Sequence, residues 1–146
     1  MKLIQCTKAI KMPENNSNFD TLPKDTQPSI RVLAMPADTN SAGDIFGGWL
    51  MSQIDIAGSI LGHRVTNGRV VTVAVNNFQF IKPVYVGDLV SVFTEVSRIG
   101  NTSMDVSIVA YAERKRQEEE CDRVASAIFT YVALDKNRKP RPIKPE

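Results

Sequence analysis

Apolar positions along this chain fall into one helical stretch and several strand-like runs. From Phe46 to about Arg64, Leu50, Ile54, Ala57 and Leu61 recur at helical spacing, and Met51, Ile56 and Ile60 widen the stripe until little polar face remains. A helix apolar on most sides has to be surrounded by protein, so its polar exceptions, Gln53 and Asp55, need partners. Thr66-Asn67-Gly68 ends the helix with turn chemistry. Ahead of it, Ile30 to Met35 forms a short strand stopped by Pro36, and a polar loop from Ala37 to Asp44 follows. Behind it, Val70–Ile81, Leu89–Ile99, Thr102–Glu113 and Val124–Leu134 read as four strands, with Gly100-Asn101 as a tight hairpin turn. In the last strand Ile128, Thr130 and Val132 alternate with Phe129 and Tyr131.

One strand, one long apolar helix and four strands in meander limit the architecture. A single helix covers five strands only if the sheet curls around it. The expected fold is therefore α+β, a hot-dog arrangement in which a curled antiparallel five-stranded sheet wraps one long central helix. Such a sheet keeps an open edge that proteins usually hide, and pairing two copies edge to edge hides it, so a homodimer is expected. Residues 1–27, interrupted by Asn15, Asn16, Ser17 and Asn18 and punctuated by Pro13 and Pro23, with Pro28 just beyond, read as a flexible N-terminal arm. The domain spans 28–135, and 136–146 is a basic C-terminal tail.

Length and charge narrow the function classes. The 146 residues make one domain. A formal charge of +2 with no dense Lys/Arg stripe argues against a nucleic-acid partner. No apolar run approaches the roughly 20 residues of a membrane span, and the start of the chain is too soon polar for a signal peptide. Cys6 and Cys121 lie far apart in unlike contexts, which favours a reduced, cytoplasmic setting. The Glu118-Glu119-Glu120 run reads as a solvated loop.

Elimination then reduces the chemistry. There is no Gly-x-Ser-x-Gly elbow, no P-loop, and no set of residues for a zinc site, so no metal or cofactor is expected. The sole histidine, His63, falls near the helix C-terminus and reads as structural or exposed. What remains is Asn40 to Asp55. Asp44 lies just ahead of a helix whose first turn carries Gly47 and Gly48. Unpaired N–H groups at such a start carry the positive end of the helix dipole, and glycine lets a ligand approach them closely. A thioester carbonyl seated there would have its developing oxyanion stabilised. A carboxylate beside it can activate water as a general base or attack directly to form an anhydride. Because a thiolate leaves readily, no separate general acid is demanded. The plainer reading makes Asp44 an N-cap and the glycines packing residues.

The segments Ala34-Met35-Pro36-Ala37-Asp38-Thr39-Asn40, Gly43 to Gln53, Gly68 to Val73, Pro83 to Asp88 and Lys139-Pro140-Arg141 together resemble the YciA-type acyl-CoA thioesterases. The resemblance covers roughly residues 29 to 142. It implies hydrolysis of fatty or short-chain acyl-CoA, with coenzyme A as product, and homodimers assembling into a hexamer as a trimer of dimers. It places the family's catalytic aspartate on Asp44, with the amides of Gly47 and Gly48 at the carbonyl, and it marks Asn40 and Asp55 as polar site positions. Asp55 reads equally well as an acid tying the helix to a strand. The resemblance also implies a site at the dimer interface. For the CoA phosphates, Asn101, Thr102 and Ser103 at the hairpin and Arg138, Lys139 and Arg141 in the tail are the candidates. A non-catalytic acyl-CoA sensor is the alternative on the same fold.

Overall fold

The computed structural model describes residues 20–114 and 121–143; Cys6, Glu118–Glu120 and Lys144 lie outside them. The elements are β1 (Ile30–Leu33), α1 (Gly47–Thr66), β2 (Val70–Phe80), β3 (Leu89–Ile99), β4 (Ser103–Glu113) and β5 (Cys121–Ala133). A 3-10 turn at Pro36–Asp38 follows β1, held by Asp38, whose carboxylate accepts the Met35 N–H at 3.0 Å. The helix is 20 residues long, about 30 Å at 1.5 Å per residue. Asn67, in the left-handed region at φ 49°, ends it and donates its N–H to the His63 carbonyl.

The five strands form one antiparallel sheet in the order β1-β3-β4-β5-β2. This corrects the expected meander. Only β3, β4 and β5 follow one another in space, while β2 pairs with β5 at the far edge. Residues 81–88 therefore run across from that edge to β3. An eight-residue link containing Pro83 and Gly87 is too long for a two-residue hairpin turn, and it has its own hydrogen bonds. Its route passes the start of α1, where the Ile45 N–H donates to the Val84 carbonyl at 3.2 Å. The link delivers a second wall to the region where the helix begins.

The core lies between α1 and the inner face of the sheet. Leu50, Ile54 and Ala57 meet Val106 and Ile108 of β4 and Phe129 and Tyr131 of β5, all essentially dry. The expected alternation in β5 holds, since Phe129 and Tyr131 are buried while Ile128, Thr130 and Val132 are half-buried. Contact is closest at Gly58, where a Cβ would meet the Tyr131 Oη at 2.2 Å and Ile108 Cδ1 at 2.8 Å. Only glycine lets the helix sit this low on the sheet.

On the outer face Phe93, Tyr111 and Cys121 form a second cluster with Leu22, and the Asp20 carboxylate accepts the Arg123 N–H at 2.7 Å. Asp20 and Leu22, counted with the arm in the sequence, thus contact the domain. The tail does so too: Arg141 N–H donates to Ala133 O and Ile143 N–H to Asn101 O, with Ile143 buried.

One expectation about α1 fails within a single protomer. The helix is not covered all round, since Ile56 is exposed, and Val73 and Val75 of the edge strand β2 are exposed as well. Of its two polar exceptions, Asp55 has side-chain partners, but the Gln53 side chain has no hydrogen bond among the described residues. The helical period showed a wide apolar stripe but could not show that one chain alone leaves part of it bare.

Candidate active site

The chain from Asn40 to Phe46 folds back on itself before the helix starts. The Asn40 side-chain oxygen accepts N–H bonds from Ala42 at 2.9 Å and Asp44 at 3.2 Å, while its own N–H donates to the Asp44 carbonyl at 2.8 Å. Gly43 supplies the left-handed backbone, φ +85°, that this turn needs. Phe46 then donates its N–H to Asp38 O at 3.0 Å. Asn40 thus fixes the backbone that carries Asp44. The Asp44 side chain is exposed and has no hydrogen-bond or ion-pair partner among the described residues.

The N-cap of α1 is Phe46, not Asp44, and no side chain caps the helix. The first i→i−4 bond runs from Leu50 N–H to Phe46 O at 3.3 Å. The amides of Gly47, Gly48 and Trp49 precede it, so they are the orphan donors of the first turn. A Cβ at Gly48 would meet nothing within 4 Å, whereas one at Gly47 would stand 3.1 Å from the Phe80 ring. Beside the Gly48 Cα there is open space, and beside the Gly47 Cα stands the Phe80 ring. These features remove the plainer reading of Asp44 as a cap.

Beside this helix start is a cleft of about 250 Å³, lined by Ile45, Phe46, Gly47 and Leu50 on one side and by Phe80 and residues 81–84 on the other. Its lining is mostly apolar. Ile45 and Phe46, which directly follow Asp44, belong to it.

An ionic cluster pins the wall made by residues 81–88. Lys82 Nζ lies 2.5 Å from Asp122, and Arg114 pairs with the same carboxylate. Arg114 also donates to Pro83 O at 3.0 Å and stands 4.8 Å over the Tyr85 ring. The Asp88 carboxylate accepts the Tyr85 N–H at 2.9 Å and lies 3.5 Å from Arg114. Burial pushes the Asp88 carboxyl above its usual range, against the pull of that N–H and of Arg114. At Asp122 burial pushes the same way, but hydrogen bonds from Lys82 and Arg114 outweigh it and hold the carboxyl low. Sequence reading missed this cluster; its members are up to 40 residues apart, and no local spacing links them.

The other sequence candidates sit elsewhere in the protomer. Asp55 lies eight residues into α1, about 12 Å along its axis from Gly47. Its carboxylate accepts Thr72 Oγ1 at 2.5 Å and Tyr131 Oη at 3.1 Å, and these bonds tie the helix to β2 and β5. Burial first, then the neighbouring Asp55 charge, pushes the Tyr131 hydroxyl well above its ordinary range, so it stays a donor. Within one chain Asp55 is not brought to Asp44.

Asn101, Thr102 and Ser103 form the β3–β4 turn near the helix C-terminus, and all three carbonyls accept backbone N–H bonds. Arg138 and Lys139 are exposed in a turn closed by Asp135, whose carboxylate accepts the Asn137 and Lys139 N–H groups. Arg141 donates to Thr66 O at 2.7 Å and to Leu134 O at 3.1 Å. Its guanidinium thus satisfies the carbonyl of Thr66, the last residue of α1, with favourable charge for the dipole there. His63 is exposed at this same end. All of these groups are separated from Asp44 by the length of the helix, about 30 Å. Among the described residues no cluster of His, Cys, Asp and Glu suits a metal ion, and no helix is long and apolar enough to cross a membrane.

A sequence profile of the Thioesterase superfamily matches residues 42–119. The acyl-CoA thioester hydrolase YciA of Escherichia coli is 46% identical over 119 residues, 80% of this chain and 90% of its own length. A crystal structure of a mutant form of HI0827, a hexameric broad specificity acyl-coenzyme A thioesterase, superposes with TM-score 0.78 at 43% identity, covering 82% of this chain and 87% of that one. Cj0915 of Campylobacter jejuni, a hexameric hotdog fold thioesterase, gives TM-score 0.78 at 40% identity, covering 84% and 93%. The hot-dog expectation is confirmed by these superpositions together with the sheet and helix described above.

The tail geometry makes a prediction of its own. Replacing Arg141 with Ala should destabilise the fold by about 1–2 kcal/mol, through loss of bonds to the helix terminus. Lys139→Ala should stay within about 0.5 kcal/mol of the parent. Chemical denaturation of both variants measures this; equal effects would deny Arg141 its role at the helix end.

Proposed function

The chain belongs to the thioesterase superfamily and is an acyl-CoA thioester hydrolase of the YciA type, and from that premise we propose that Asp44 and the first turn of α1 carry the chemistry. The single observation behind this is the uncapped helix start: donors open to a ligand at Gly48, with a partnerless carboxylate a few residues before them. The thioester carbonyl sits on the amides of Gly47 and Gly48, and the acyl chain enters the adjoining apolar cleft. Attack turns the carbonyl oxygen into an oxyanion that those N–H groups stabilise. Asp44 acts either as general base, taking a proton from the attacking water, or as nucleophile, forming an anhydride that water then opens. In both routes the C–S bond breaks and the CoA thiolate leaves and is protonated. Asn40 acts as a positioning residue for Asp44 through its bonds to residues 42 and 44.

Asp44→Ala should lower kcat by about 10²–10⁴-fold, while circular dichroism and binding of the CoA product stay as in the parent. Activity within threefold of the parent, on the order of 0.7 kcal/mol, would take Asp44 out of the mechanism. A non-catalytic acyl-CoA sensor gains no support from the relatives, which are described as hydrolases and thioesterases.

The assembly is part of the same proposal. Exposed Val73 and Val75 on the edge strand β2, together with Ile56 on α1, suit pairing with a second copy edge to edge. Three such dimers make the hexamer named for the relatives. In that assembly Asn101, Thr102, Ser103, Arg138 and Lys139, remote from Asp44 in their own chain, contact the CoA phosphates bound at a neighbouring subunit's site. Asp55 joins the shared site by the same route. The cytoplasm is the proposed setting, in keeping with a buried Cys121 that carries no disulfide. Val73→Lys should convert the oligomer to smaller species by light scattering and abolish most turnover. A monomer with full activity on CoA esters would remove both the shared site and the contacts from the tail.

A further inference from the structure

Two large aromatics line the cleft beside the helix start and are mostly open to solvent, Phe46 at 54% and Phe80 at 55% exposure, and of these Phe80 is the one whose ring stands against Gly47. Its position follows from irregularity in β2. The pairing of β2 with β5 shifts register between Asn76 and Gln79, and Asn77 takes a left-handed conformation at φ 50°. A bulge of this kind re-aims the side chains beyond it. Pairing then resumes at Gln79 and Phe80, and the strand ends there. The Phe80 ring lies 4.6 Å from Phe78, and Phe78 lies 6.2 Å from Phe129 in the core. A file of aromatic rings thus leads from the core to the rim of the cleft and backs the outermost ring.

What that ring touches matters most. It closes the cleft at Gly47, where no Cβ would fit without displacing it, while Gly48 one residue on faces open space. A carbonyl seated at Gly48 therefore directs its acyl chain past the Phe80 ring. Across the cleft from the ring is Leu50, and beside the ring is Val84, both buried, with residues 81–84 held by the Lys82–Asp122–Arg114 pairs. Of the exposed lining residues, Phe80 carries the ring that stands beside the proposed carbonyl position at Gly47 and Gly48, where resizing it changes the space next to the acyl chain.

We propose that Phe80 is a specificity-determining residue whose ring sets the length of acyl chain the cleft admits. The inference rests on the thioesterase reading of the site and deepens it. Shortening the side chain lengthens the accessible apolar track, and enlarging it blocks the track nearer the carbonyl.

The test uses the full-length protein and its Phe80→Ala, Phe80→Leu and Phe80→Trp variants, with kcat/KM measured for CoA esters from acetyl to palmitoyl. Phe80→Ala should raise the ratio of long-chain to butyryl kcat/KM by roughly tenfold or more, with Phe80→Leu between it and the parent. Phe80→Trp should lower that ratio. Thermal melts identify a variant that does not fold, and the Leu to Trp comparison then decides the question alone. If all chain lengths change in parallel, Phe80 does not select and the inference fails while the enzyme reading stands. If the parent hydrolyses none of the esters, the reading of the site fails and the inference with it.

Discussion

The first turn of α1 starts on an apolar residue, and much of the structure follows from that. Helices ordinarily meet the needs of their leading N–H groups with a Ser, Thr, Asp or Asn side chain. Here Phe46 occupies that place, and its side chain cannot accept a bond. The neighbouring Asp44 and Asn40, which have the chemistry to cap, are engaged otherwise: Asn40 folds the preceding turn, and Asp44 points its carboxylate at no described group. An uncapped start sacrifices about 1 kcal/mol of helix stability. It is sustained because packing further along, at Leu50, Ile54, Ala57 and Gly58, holds the helix without help from its end. In other hydrolases each such donor stabilises the transition state by about 2.7–4 kcal/mol. On the proposed mechanism such a gain in catalysis exceeds the loss in folding.

The sheet order gives that helix start its surroundings. Because β2 pairs with β5 rather than β3, the link at 81–88 has to cross the end of the sheet where α1 begins. The crossing supplies the second wall of the cleft, and Arg114 fixes it from β4's end by bonds to Asp122, Asp88 and the Pro83 carbonyl. At the opposite end Arg141 satisfies the carbonyl of Thr66, the last residue of the helix. The two ends are treated differently: one is closed by a cation from the tail, the other carries no side-chain cap.

Much of this was legible in the sequence for physical reasons. The 3.6-residue period gave α1 to within two residues, and Gly100-Asn101 gave the hairpin, because both signals are local. Asp44 with Gly47-Gly48 was legible because a carboxylate and glycines beside a helix start are adjacent in the chain. Strand order was not, since alternation reports which face a residue takes and not which strand lies beside it. The length of the 81–88 link and Pro83 were the available signals against a β2–β3 hairpin. Arg141 read as one of several tail cations, yet it is bonded to the helix end while Arg138 and Lys139 are free in solvent. The exposure of Val73, Val75 and Phe80 was likewise hidden, because an apolar run looks the same whether its own chain or a second copy covers it.

The central claim is that the amides opening α1 receive the thioester carbonyl, and observing those amides tests it most directly. A ketone analogue of acyl-CoA, with the sulfur replaced by methylene, keeps the carbonyl and cannot be hydrolysed. Titrating it into ¹⁵N-labelled protein and following the backbone amide resonances gives each N–H its own readout. The account predicts that Gly47 and Gly48 move most, downfield in the proton dimension, and that a CoA thioether lacking the carbonyl leaves them nearly unchanged. Saturable binding of the ketone with those two resonances unmoved would contradict it.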